Sequence, residues 1–116
     1  ANLNASFRNC IVYGSLDKEL DLDQIQGADF NFTFENCLLK VNEDIDTGAP
    51  NYINIIKVQP GENPTIFVDP YDKDDYHLAE GSPCINAGIT NGITIDLDGN
   101  PRSDGTPDIG CYEFAP

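Results

Sequence analysis

The chain has 116 residues, which makes one domain with a modest core. Six basic residues against 20 acidic ones give a net charge of −14, which argues against nucleic acid or an anionic membrane surface as a partner. Neutral glycans, cationic ligands and metal ions remain. A hydrophobic content of 40% is too high for a disordered acidic tail, and no apolar run is long enough to span a membrane. No signal peptide begins the sequence, and Ala1-Asn2-Leu3-Asn4 reads as a cut inside a longer protein or a processed end.

In chain order, Phe7-Arg8-Asn9-Cys10-Ile11-Val12-Tyr13 comes first and returns 27 residues later as Phe34-Glu35-Asn36-Cys37-Leu38-Leu39-Lys40. Phe, Asn and Cys keep their relative places, and the two residues after Cys stay aliphatic. A weaker third copy, Tyr52-Ile53-Asn54-Ile55-Ile56, follows at a spacing of 18 with Ile55 where the cysteine stood. A repeat of this length marks stacked units, each burying its face against its neighbours. Gly14-Ser15-Leu16-Asp17, Gly27-Ala28-Asp29 and Gly48-Ala49-Pro50 are turn sequences. Lys18 to Gln26 suits either a short helix or an exposed strand.

Thr65-Ile66-Phe67-Val68 reads as a buried strand stopped by Asp69-Pro70. Tyr76-His77-Leu78 is a second short strand, and Cys84-Ile85-Asn86-Ala87-Gly88 a third after the turn Gly81-Ser82-Pro83. The fold expected is all-β: a right-handed parallel β-helix, with strands near Arg8–Tyr13, Thr33–Lys40, Tyr52–Val58 and Ile66–Val68. Repeat coils fill 1–60, and a terminal coil and cap fill 61–116 of a single domain. Asn9 stacks on Asn36 in an amide ladder, Cys10 on Cys37, and Phe7 on Phe34, with the strands about 4.8 Å apart. An N-terminal coil with an unpaired edge is expected to self-associate.

Taken together, FRNCIVYGSLDKELDLD, GADFNFTFENCLLK, PTIFVDP, DYHLAEGSPCINAG, DLDGNPR and PDIGCYEF resemble the C-terminal end of the secreted or lipid-anchored, pectate-lyase-like β-helix repeat proteins of gut Bacteroidetes. The resemblance implies that fold and a secreted or cell-surface address, in the periplasm or at the outer membrane. It implies little about activity, because fold does not give function. Cys84 and Cys111 sit where alanine is usual in such blocks, and the implied compartment permits a Cys84–Cys111 disulfide. Cys10 and Cys37 are then free thiols in one repeat position.

Asp96-Leu97-Asp98-Gly99-Asn100 resembles the start of a calcium loop, but Pro107 stands where the distal carboxylate belongs. The expectation is therefore no metal and no cofactor, with Asp96, Asp98 and Asn100 the candidate ligands should calcium bind. Arg102 is expected to pair with Asp104 or Asp108. His77 is the single histidine and is expected to be structural. No nucleophile motif is present. Arg8, Lys40 and Lys57 are the cations a lyase face would use. Asn4-Ala5-Ser6 and Asn31-Phe32-Thr33 match the glycosylation sequon. The function expected is a non-catalytic module of a surface protein that binds polysaccharide or another partner. The alternative is a fragment of a polysaccharide lyase or glycosidase whose site lies on other coils.

Overall fold

The structure, a computed structural model, describes residues 3–16, 19–20, 30–102 and 106–114. Most of the Lys18 to Gln26 segment, the Gly27-Ala28-Asp29 turn and Asp104 lie outside them. The chain divides into two compact units, Ala1–Glu62 and Asn63–Pro116.

In the first unit the repeat becomes two parallel sheets. One contains β1 (Leu3–Arg8), β3 (Phe30–Glu35) and β5 (Tyr52–Ile53), in that order; the other contains β2 (Ile11–Val12), β4 (Leu38–Lys40) and β6 (Ile56–Val58). Phe7 pairs with Phe34 and Phe34 with Tyr52; Ile11 pairs with Leu38 and Leu38 with Ile56. The 27-residue and 18-residue spacings are thus both in register, and the length difference lies in the loops. The corner between the sheets is made by Asn9, Asn36 and Asn54, at φ of 55°, 51° and 52°. Asparagine tolerates this left-handed conformation better than residues with a bulkier or branched side chain. Each corner ends one strand and re-aims the next.

The core sits between the sheets. Phe34, Cys37, Leu39 and Val41 form it and are buried; Leu38, on the opposite face of β4, is buried as well. Full burial of Leu38 and Leu39 stabilises by about 1.5–3 kcal/mol each. Phe7, Phe34 and Tyr52 stack along the layers, with ring centroids 4.8 and 5.9 Å apart and planes 12° and 7° from parallel.

The second unit pairs β7 (Phe67–Asp69) with β8 (Asp75–Leu78) in the antiparallel sense. Its turn places Asp74 at φ 52°, and the Asp69 carboxylate accepts the Asp72 N–H at 3.1 Å. Ile66, Leu78, Cys84 and Ile109 are buried. From Ala79 onward the described chain forms turns and loops with a single bridge, Ile95 to Pro101.

These sheets correct the expected right-handed parallel β-helix. Parallel pairing stops after three short layers, and the strands that follow form an antiparallel pair. The described residues hold short separate sheets, with no helix and no continuous solenoid. Between Val58 and Ile66 lie Pro60, Gly61 and Pro64, which remove ladder donors and favour a turn. The expected strand Cys84–Gly88 is also corrected: its N–H groups close tight turns, Ile85 to Ser82 at 3.2 Å and Ala87 to Cys84 at 3.4 Å. The expected strand Thr33–Lys40 is broken at Asn36 by the left-handed corner.

Candidate functional site

In β1 and β3 successive side chains alternate between faces. Ala5 and Phe7 pair with Phe32 and Phe34 on the core side. Asn4 and Ser6 pair with Asn31 and Thr33 on the other. That second face borders an open groove of about 460 Å³ lined by Asn4, Ala5, Ser6, Asn31, Phe32, Thr33 and Asn51. Asn31 Nδ2 donates to Asn4 Oδ1 at 3.0 Å, and Asn51 Nδ2 donates to the Phe32 carbonyl at 2.7 Å. Among the described residues, no ionisable side chain lines the groove. The two sequons are what mark its first two rows in the sequence, because they recur at the repeat spacing. Asn51 has no such signal.

The cations proposed for a lyase face do not converge on this groove. Arg8 pairs with Glu35 at 3.2 Å. Lys40 is buried, donates to the Gly14 carbonyl at 2.9 Å and lies 5.0 Å from the Tyr13 ring centroid. Lys57 donates to the carbonyls of Glu43 and Ile45 at 3.0 and 2.6 Å. Each cation fastens its own stretch of the first unit.

In the second unit the acidic side chains hold loops together. Asp96 is buried. Its Oδ1 accepts the N–H groups of Asp98 and Asn100 at 2.9 and 2.7 Å, and its Oδ2 accepts the Glu113 N–H at 2.7 Å. Burial raises the Asp96 pKa, but these N–H bonds outweigh it and hold the carboxyl below its ordinary range. Asp108 accepts the N–H groups of Asn86 and Phe114 at 2.7 and 2.6 Å. Arg102 donates to Glu113 Oε2 at 3.0 Å and to the carbonyls of Asp108 and Gly110 at 3.0 and 2.8 Å. Among the described residues its ionic partner is Glu113, and it meets Asp108 through the backbone; the expected pairing with Asp104 falls outside them. Of the candidate calcium ligands, Asp96 accepts N–H donors on both of its oxygens, and Asp98 Oδ2 lies against His77 Nε2. No group of three or more His, Cys, Asp and Glu residues suited to a metal ion occurs among the described residues.

His77 lies in β8 between two carboxylates. Nδ1 is 2.6 Å from Asp75 Oδ1 and Nε2 is 2.5 Å from Asp98 Oδ2. Its ring stacks on Tyr112 with centroids 3.8 Å apart. Only an imidazolium donates from both nitrogens. The bonds to Asp98 and then Asp75 raise the His77 pKa, and His77 in turn lowers that of Asp75. Asp98 is 21 residues distant, so the sequence alone gave no sign of this clasp.

All four cysteines are free thiols, so the expected Cys84–Cys111 bridge is not formed. The Cys84 carbonyl accepts the N–H of Ile109, while the Cys111 carbonyl accepts that of Leu97. Cys84 is buried and Cys111 exposed. Burial pushes the Cys84 thiol up to about 11. At the first corner Asn9 N–H donates to the Glu35 carbonyl and Leu38 N–H to that of Cys10, at 3.2 and 3.0 Å, which sets Asn9 and Cys10 beside Asn36 and Cys37. A hydrogen bond from Cys37 lowers the Cys10 thiol to about 6, while that same contact and burial raise Cys37. No protein-family model, curated protein or solved structure matches the chain.

Proposed function

We propose that the chain is a non-catalytic binding module of an extracytoplasmic protein, and that it takes a neutral glycan along the amide and hydroxyl face of its first sheet. The groove beside Asn4, Ser6, Asn31, Thr33 and Asn51 supports this. Its amides and hydroxyls both donate and accept, as sugar hydroxyls do. Its first two rows, Asn4 and Ser6 beside Asn31 and Thr33, repeat at the strand spacing, about 4.8 Å, and offer equivalent partners. The groove is open and uncharged, which suits weak binding of a neutral chain. The net charge of −14 opposes a uronate polymer. The extracytoplasmic address rests on the resemblance of the SPCINAG and DIGCYEF blocks.

Titration calorimetry with neutral and uronate oligosaccharides tests the proposal. A neutral oligosaccharide binds with a Kd of about 1 mM, near −4 kcal/mol, and Asn31→Ala abolishes the heat. Failure of every neutral oligosaccharide to bind, or binding that survives Asn31→Ala, contradicts it.

A further inference from the structure

Cys10 and Cys37 meet across 27 residues of sequence. Arg8 pairs with Glu35 before them and Ile11 with Leu38 after them, so the two cysteines share one rung where the chain turns from one sheet to the other. Their Cα atoms then stand about 4.8 Å apart, inside the span of about 4.4–6.8 Å that a disulfide bridges but near its short end. The two thiols are in hydrogen-bond contact. Cys10 Sγ also lies 3.2 Å from the Arg8 carbonyl, and Cys37 Sγ lies 3.5 and 3.4 Å from the carbonyls of Phe7 and Glu35. The pair is unequal in access. Cys37 is fully buried, whereas Cys10 is half-buried, and among the described residues no strand lies beyond β1 and β2. Phe7, whose carbonyl touches Cys37, is 41% exposed.

We propose that Cys10 and Cys37 form a thiol–disulfide exchange site that takes a disulfide carried on a neutral or cationic peptide. Cys10 is the attacking sulfur. It is the accessible one, and the hydrogen bond from Cys37 holds its thiol down to about 6, so the thiolate prevails at neutral pH. That thiolate bonds one sulfur of the substrate disulfide; the other sulfur leaves and takes up the proton that Cys10 lost. Cys37 stands in the layer on the inner side of Cys10, so its sulfur attacks from the side opposite the substrate and expels the second substrate sulfur outward. The Cys37 proton goes to that sulfur. The protein dithiol is oxidised to a Cys10–Cys37 disulfide, and the substrate disulfide is reduced to two thiols. The short spacing keeps the new bond labile, so the dithiol is the resting state. A net charge of −14 repels an anionic disulfide and attracts a cationic one. One disulfide is taken up per chain, at the core side of the sheets and away from the groove beside Asn4 and Asn31.

The test incubates the whole folded chain with one equivalent of cystamine, a cationic disulfide, or of oxidised glutathione, an anionic one, and maps the thiols by mass spectrometry. Cleavage after Arg8, Lys18 and Lys40 puts Cys10 in the peptide 9–18 and Cys37 in the peptide 19–40. Cystamine links those two peptides, and Cys10 exchanges about tenfold faster than exposed Cys111. At low salt oxidised glutathione reacts about tenfold more slowly than cystamine. Cys37→Ser traps a mixed disulfide on Cys10 that the unaltered chain does not accumulate. No linkage, cystamine retained on Cys10 of the unaltered chain, or equal linkage in the urea-unfolded protein overturns the site, and these readings stand even where the variant fails to fold. Equal rates with the two disulfides overturn the choice of substrate.

Discussion

Single side chains of the second unit carry charges that act as fasteners. His77 has a raised pKa, so its contribution to stability is complete below its ordinary value of 6.5 and is lost as pH rises through the folded value. Asp75 has a lowered pKa, so its contribution is present above its ordinary value of 3.8 and is lost as pH falls through the folded value. The clasp is strongest between these two limits. Melting curves followed from pH 5 to pH 9 should fall at the alkaline end, and His77→Gln should flatten that slope; an equal slope in both proteins contradicts the clasp. Asp96 acts through desolvated N–H bonds, and Asp96→Ala should destabilise by about 2–4 kcal/mol in urea unfolding. Thiol titration of unfolded, unreduced protein should count four groups. In the folded protein at pH 7, Cys10 should be alkylated ahead of buried Cys37 and Cys84.

At the scale of elements, the asparagine corners and the two parallel sheets explain what the sequence made legible. Phe, Asn and Cys at a fixed spacing placed Phe7 beside Phe34 and Asn9 beside Asn36, because stacking and a left-handed corner both constrain residue type locally. The 18-residue copy was legible at Tyr52 and Asn54 for the same reason. The antiparallel β7–β8 pair was not, because Ile66-Phe67-Val68 and Tyr76-His77-Leu78 show composition but not direction. The loops around Asp96 and Asp108 were legible only as turn formers, since their partners Glu113 and Asn86 are 17 and 22 residues away. Asn54, exposed and at φ 52°, offers a clean test of the corner. Asn54→Gly should leave stability within about 0.5 kcal/mol, while Asn54→Val should cost about 1–2 kcal/mol in the same unfolding assay. Equal effects would remove the left-handed corner as the cause.

Across the whole molecule, the distribution of charge separates scaffold from site. Asp96, Asp108, Glu113 and Arg102 are engaged in holding backbone, and the cations Arg8, Lys40 and Lys57 are engaged elsewhere. Among the described residues, the amide face of β1 and β3 borders a groove that no ionisable side chain lines. The chain should therefore release no unsaturated or reducing ends from neutral or acidic polysaccharides, with or without calcium, and His77→Ala should change nothing in that screen. The central claim is tested most directly by chemical-shift mapping of the whole chain during titration with a neutral oligosaccharide. The side-chain amides of Asn4, Asn31 and Asn51 and the backbone of Ser6 and Thr33 should shift together and saturate with one Kd. Shifts confined to His77, Asp98 and Tyr112, or cleavage products appearing during the titration, would contradict it.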